Sequence, residues 1–271
     1  MPRIPVERFD DPRLADYYSL NERNLTRHSG KFIAEGDKVV ERLVASSFPV
    51  DSLLAEASWA DRLEPQLPPD TPIYIAERSV LEQTIGFNFH RGVLAVGRRD
   101  QKQGLADILL SLPPTATIVV CPDVHDPTNL GTLIRTAAAF GCAAIVLGRE
   151  CAYAFSRRVL RVSMGAALQI PIIESADLSA DLHLLRQHQF DLAATVLHPD
   201  AEHLAGAQRV ARQALLFGSE GHGLADEWLR LCDRRITLPM HSGIDSLNVA
   251  IAAAIFLYHF TQSQPQSNRS P

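Results

Sequence analysis

The sequence predicts an α/β protein: a C-terminal parallel-sheet domain preceded by a small N-terminal α/β domain. Three observations predict it. In the second half, short β-branched runs alternate with helix-length segments, the order that a parallel sheet requires. Residues 1–97 mix helical and strand signals without that regular alternation. Across the 271 residues, 46% are hydrophobic and 21% charged, an ordinary globular balance with ample core to bury.

Taken in order, residues 12–28 read as a polar helix with Leu14, Tyr17, Tyr18 and Leu25 available for packing. In GDKVVERLVASS, residues 36–47, Val39, Val40, Leu43 and Val44 share one helical stripe. Strands follow at Ile73–Ala76 and Gly92–Gly97. Residues 98–114, charged and then ended by two prolines, read as a linker with a short helix. The domain from 115 to 263 then runs through strands at Thr117–Cys121, Ala143–Leu147, Gln169–Ile173, Phe190–Leu197, Ala214–Gly218 and Ile236–Leu238. Helices are expected between them at Leu130–Phe140, Arg157–Ala166, Leu178–His188 and Ala225–Cys232. A last helix spans Ser246 to Thr261, and its AIAAAIF stretch, apolar nearly all round, predicts deep burial. The polar tail, 264–271, is expected to be disordered.

Bulk properties exclude several classes. No apolar run reaches the ~18 residues of a membrane span, and Met1–Asp11 carries no apolar signal-peptide core. Cys121, Cys142, Cys151 and Cys232 form no CxxC pair, which points to neither a zinc site nor a disulfide framework and fits a reduced cytoplasm. Lys plus Arg is 26 against 31 for Asp plus Glu, a net charge of −5. That balance argues against a broadly basic surface, so any polyanion would have to meet local clusters of cations.

Three segments sit where strands end and helices begin, which is where open α/β sheets bind ligands. In DVHDPTNLGTLIRTAAAFG, residues 123–141, Asn129 can cap the helix, Gly131 permits close approach, and Arg135 follows six residues after Asn129. In LLFGSEGHGL, residues 215–224, Gly218, Gly221 and Gly223 surround Ser219 and Glu220, so backbone groups can meet a ligand closely. The spacing is neither GxGxxG nor a P-loop. In ITLPMHSGIDSLNVAIAAAIF, Ser246 is a good N-cap, while Asn248 is an amide that needs a partner as it enters an apolar helix. Alone, each segment also reads as an ordinary capped helix or turn.

In this order the segments resemble the SpoU (TrmH) family of the SPOUT methyltransferase superfamily. Asn129-Leu130-Gly131 with Arg135 is similar to its first motif, Gly218-Ser219-Glu220-Gly221 with Gly223-Leu224 to its second, and Pro239-Met240 with Ser246-Leu247-Asn248-Val249 to its third. Ser163-Met164-Gly165-Ala166-Ala167 before Ile170-Pro171 matches a further feature, and His222 stands where an acidic residue is common, a departure expected to matter little. Phe32-Ile33-Ala34-Glu35-Gly36 and Gly92-Val93-Leu94-Ala95-Val96 resemble a substrate-binding domain similar to small ribosomal proteins that bind kinked RNA.

The resemblance implies a trefoil-knotted catalytic domain, S-adenosylmethionine as methyl donor, no metal, a homodimer, and 2′-O-methylation of a ribose in RNA. Ribosomal RNA is favoured, with transfer RNA or a catalytically inactive RNA-binding homologue as alternatives. It implies cofactor contacts at Thr195, Leu197, Phe217, Gly218, Ser219, Gly221, Ile236, Leu238, Met240, Ser246, Leu247 and Val249. The catalytic set it implies is Asn129, Arg135, Glu220, Ser246 and Asn248. A guanidinium has a pKa above ~12, so Arg135 suits holding a phosphate or stabilising an alkoxide better than acting as a base. Arg157, Arg158 and Arg161 on one helix, Arg91, Arg98, Arg99 and Lys102 near the domain junction, and Lys31 and Lys38 beside the first-domain motif are candidate phosphate contacts. For each of these the alternative is a solvated charged face. A base methyltransferase is disfavoured by the Asn129/Arg135 and Ser246/Asn248 pattern, and a dehydrogenase by the missing GxGxxG.

Overall fold

The computed structural model describes residues 3–18, 30–86, 92–99, 104–219, 221–240 and 246–262. The chain forms two compact units, one of Met1–Gln101 with Tyr153–Gln169, the other of Lys102–Ala152 with Ile170–Pro271.

The first unit is built on strands β1 (Arg3–Pro5), β2 (Lys31–Glu35), β3 (Val50–Ala55), β4 (Ile73–Ile75) and β5 (Val93–Arg98), in the order β1-β4-β3-β5-β2. The two segments singled out in the sequence are neighbours here: β2 pairs antiparallel with β5, and the Gly36 amide donates to the Val93 carbonyl at 3.0 Å. Helices α1 (Asp37–Val44), α2 (Ala57–Leu63) and α3 (Arg78–Ile85) accompany the sheet. The stripe expected on α1 is inward, with Val39, Val40 and Leu43 buried and Val44 only half-buried. The helix expected over 12–28 is a 3-10 turn at Pro12–Tyr17, whose Leu14 and Tyr17 are buried; residues 19–29 lie outside the described residues.

Residues 153–169, expected within the second half's alternation, complete this first unit. Phe155 packs 5.5 Å from Phe32 and 5.4 Å from Phe48, ring centre to ring centre, with the Arg99 guanidinium over its ring at 4.6 Å from the centre. A short crossover helix, Arg157–Val162, places Arg157 and Arg161 3.5 and 3.1 Å from the carboxylate of Glu35, which is 5% exposed. The helix ends in two left-handed residues, Met164 (φ 54°) and Gly165 (φ 80°), where the Met164 carbonyl accepts from Arg42. The Ser163–Ala167 motif is thus a docking turn.

In the second unit the described strands are β6 (Ala116–Cys121), β7 (Ala144–Leu147), β8 (Ile172–Glu174), β9 (Asp191–Val196), β10 (Glu202–His203), β11 (Arg212–Leu216) and β12 (Arg234–Thr237). They lie in the order β10-β12-β9-β11-β6-β7-β8, with every pairing parallel. The chain lays β6, β7 and β8 outward, returns past β6 to place β9, and fills the remaining slot with β11. The helices are α4 (Leu105–Ser111), α5 (Pro127–Ala139), α6 (Leu178–Gln187), α7 (Asp226–Leu231) and α8 (Val249–Gln262). Leu105, Ile108 and Leu109 of α4 join the core formed by Ile118, Val120, Leu192 and Leu216, burial that drives the helix onto the sheet.

Two expectations need correction. The strand placed at Gln169–Ile173 begins only at Ile172, because Ala166–Leu168 continue the 3-10 geometry and Pro171 has no amide to enter a ladder. The last helix is not buried all round: Ile251 is 54% and Tyr258 56% exposed, while Val249, Ala253, Phe256 and Phe260 are buried. Among the described residues no helix is long and apolar enough to cross a membrane.

Removing Glu35 leaves the half-buried Arg157 without its carboxylate. Breaking one side of a buried pair costs about 3–5 kcal/mol, and Arg161, 47% exposed, lowers that figure through solvent screening. Glu35→Ala is therefore expected to destabilise the first unit by about 2 kcal/mol, read as a shift of the denaturant midpoint. An unchanged midpoint refutes this role.

Candidate functional site

The first segment starts from β6. The Cys151 thiol donates to the Cys121 carbonyl at 3.0 Å and accepts from the Val124 amide at 3.3 Å, holding the loop that leaves the strand. Burial pushes this thiol up to about 12, so it remains a protonated donor at neutral pH. Asp126, not Asn129, caps α5: its carboxylate accepts from the amides of Thr128 at 2.7 Å and Asn129 at 3.0 Å. Pro127 decides this, since a proline suits the first helical position, and Asn129 falls inside the first turn.

The third segment corrects the cap in the same way. α8 begins at Val249, and the Asn248 Oδ1 accepts from the amides of Ala250 at 3.0 Å and Ile251 at 3.3 Å. Asn248 is therefore the N-cap assigned above to Ser246. Its Nδ2 donates to Asn129 Oδ1 at 2.8 Å, which is the partner its amide needed. Both the cap and the bridge lie at the protein surface.

The second segment is a tight loop after β11. Ser219 and Gly223 exchange backbone hydrogen bonds at 3.1 and 3.0 Å, and Gly223 has φ +66°. A Cβ on Gly218 would lie 2.2 Å from the Gly223 carbonyl carbon and 2.4 Å from the Leu224 nitrogen, so only glycine lets the loop close. Glu220, at the centre of this motif, lies outside the described residues.

These loops enclose two cavities at the carboxyl ends of adjacent strands. The first, about 410 Å³, lies beyond β9, β11 and β12. It takes in Thr195, Leu197, Phe217, Gly218, Ser219, Gly221, Leu238, Met240, Ser246, Leu247 and Val249 among its lining. Phe217 stacks edge-on against Phe256 of α8 at 5.9 Å. The second, about 420 Å³, is lined by Asp123, His125, Asp126 and Asn129 on one side and by Ser219, Gly221, His222 and Val249 on the other. Both volumes suit a small ligand or a nucleotide.

Not every expected residue converges. Ile236 is fully buried and lines neither cavity. Arg135 is exposed on α5, about 120° around the helix and about 9 Å along it from Asn129, and its side chain has no hydrogen bond or ion pair among the described residues. Lys31 is held by Asp16 at 2.7 Å and Asp51 at 3.6 Å, while Arg157 and Arg161 face Glu35. Arg158 is exposed, and Arg91 and Lys102 lie outside the described residues. Conversely, the sequence reading passed over His198 and Arg235 in the first cavity and Asp123 and His125 in the second. Ala252 and Phe256 also line the first cavity, and their spacing of three and seven from Val249 is the helical signal that would have found them.

A family model described as the SpoU rRNA Methylase family matches residues 116–258, just over half of the chain. An uncharacterized tRNA/rRNA methyltransferase of Mycobacterium bovis is 40% identical over 266 residues, covering 94% of this chain and 90% of the relative. A 23S rRNA (guanosine-2′-O-)-methyltransferase of Yersinia pestis is 30% identical over 196 residues, 71% of this chain and 78% of its own. Among solved structures, the AdoMet-bound rRNA methyltransferase from Sinorhizobium meliloti shares the fold with a TM-score of 0.84 at 24% identity, covering 96% of this chain and 98% of that one. A putative RNA methyltransferase of the TrmH family from Porphyromonas gingivalis gives 0.81 at 25% identity, covering 93% and 97%.

The loop geometry makes Gly218 the most exacting position of the first cavity. Gly218→Ala must displace backbone rather than a flexible side chain, so it is expected to weaken S-adenosylmethionine binding at least about tenfold, or 1.4 kcal/mol, by calorimetry on the folded protein. Wild-type affinity refutes the close fit.

Proposed function

The chain belongs to the SpoU rRNA methylase family, and from that membership and its paired cavities we propose that it methylates a ribose 2′-hydroxyl of RNA with S-adenosylmethionine. It is an RNA methyltransferase. The observation that carries the finer reading is a pair of cavities that share a wall, the second of them lined by Asn129, whose amide Asn248 holds. One cavity suits the methyl donor and the other the nucleotide that receives it.

The first cavity fits the donor by its shape and chemistry. Gly218 and Gly221 bring backbone groups to its surface, and Phe217, Leu238, Met240 and Leu247 give it apolar walls. Arg235 supplies a cation on the lining for the donor's carboxylate. When bound, S-adenosylmethionine supplies an activated methyl group on sulfonium. The chain's own residues then orient the ribose, which brings the two reactants together and supplies several kcal/mol, about 7 or more in favourable cases. Asn129 is placed for this, since its amide is fixed by Asn248 and it lines the second cavity.

Arg135 lines neither cavity and, among the described residues, offers an unpaired guanidinium to solvent. Its role in this reading is to grip an RNA phosphate outside the cavity and so hold the nucleotide inside it. The 23S rRNA activity named for the Yersinia pestis relative favours ribosomal over transfer RNA. The first unit would serve as the substrate-binding domain. In this reading the C-terminal part is knotted, with α8 packed on α5. A homodimer would cover the exposed stripe of α8, where Ile251, Ile255 and Tyr258 recur at helical spacing.

Two measurements test this reading. Tritiated S-adenosylmethionine and total RNA from cells lacking the gene should yield a labelled 2′-O-methylnucleoside; label in a base refutes ribose transfer. Arg135→Ala should bind the cofactor normally yet lose about a hundredfold or more in rate, with only partial recovery in Arg135→Lys, whose ammonium lacks the planar fork. The assembly is tested separately by sedimentation. Ile251→Glu with Tyr258→Glu should convert a dimer to a monomer, and a wild-type monomer at micromolar concentration overturns the dimer.

A further inference from the structure

We propose that His222 accepts the proton of the ribose 2′-hydroxyl as the methyl group is transferred, an assignment that rests on the function proposed above. Methyl transfer has to occur where the two cavities meet. The described residues lining both are Ser219, Gly221, His222 and Val249. Glycine and valine have no side-chain group that can take up a proton, and a serine hydroxyl is too weak a base near neutral pH. An imidazole changes protonation between about pH 5 and 8, the range a general base requires. Arg135 keeps its phosphate-holding role but is not the acceptor, because a guanidinium stays protonated and this one lines neither cavity.

The surroundings suit the role. His222 is exposed at the tip of the loop closed by Ser219 and Gly223, and its ring has no hydrogen bond or ion pair among the described residues. A ring nitrogen is therefore available to a substrate hydroxyl. From the β6–α5 loop, Asp123, His125 and Asp126 face the second cavity. His198, just past β9, and Arg235, within β12, face the first. Glu220, the sequence neighbour, lies outside the described residues and enters the test as a separate variant. In the reaction the methyl–sulfur bond breaks with its electron pair left on sulfur. The oxygen–methyl bond forms, and the hydroxyl proton passes to His222 and then to water.

The test is a single-turnover pH–rate profile. The probe is total RNA from cells lacking the gene, with saturating tritiated S-adenosylmethionine. The wild-type rate should fall toward acid with one limb in the imidazole range. His222→Gln should keep wild-type cofactor affinity by calorimetry, lose about a hundredfold or more in rate, and show no such limb. His125→Gln and Glu220→Gln should retain the limb. A His222→Gln variant with near-normal rate, or a slow one that keeps the limb, overturns the assignment, as does loss of the limb in either other variant. Folded wild-type protein that binds S-adenosylmethionine but methylates no RNA at any pH overturns the functional reading, and this assignment with it.

Discussion

One amide pair joins elements 119 residues apart in sequence and sets the geometry of everything around it. The Asn248 Oδ1 is occupied by the first amides of α8, which leaves its Nδ2 to bond Asn129. An amide used at both ends has a single orientation, so the start of the last helix is fixed against the first turn of α5 in position and in rotation. That rotation decides that Val249, Ala252 and Phe256 face the first cavity. Apolar packing alone would not choose it, since a helix reading AIAAAIF buries almost any face comparably well.

Charge in the first unit is arranged with similar economy. The net charge of −5 seemed at odds with an RNA partner. The structure sharpens the point, because Lys31, Arg98, Arg157 and Arg161 are engaged by carboxylates of their own unit. Paired cations contribute little to the attraction of a polyanion. Affinity for RNA then depends less on a broad field than on a few placed groups, and the function proposed above puts the solvent-facing Arg135 among them.

The alternation of the second half and its three strand-end motifs were legible because parallel strands buried on both faces leave long apolar signatures and because their loops need glycine. The first unit was harder to read. β1 and β3 carry short or mixed runs, and no local pattern says that Phe155 should pack between Phe32 and Phe48. The caps failed for a different reason. DPTN offers three residues able to cap and SLN two, and the choice rests on where the helix starts, which Pro127 fixes in one case and the Asn129 bridge in the other. The exposed face of α8 was invisible because a uniformly apolar segment has no period. His222 stood out in the sequence only as a departure from the family pattern, and the shared wall of two cavities is what gives it a task in the assignment proposed above.

The docking of residues 153–169 in the first unit makes that unit discontinuous along the chain. During synthesis, Glu35 and the Phe32–Phe48 surface emerge from the ribosome well before the arginines and the ring that complete them. Between residues 101 and 169 lie 68 positions, about 3–14 s at typical translation rates of roughly 5–20 residues per second. Through that interval the nascent first unit carries an uncompensated carboxylate and an open aromatic face. The usual order, in which an N-terminal domain is finished before the next begins, is thereby reversed in part. β6 and β7 of the second unit are already made when the first acquires its last helix, so the two units mature together.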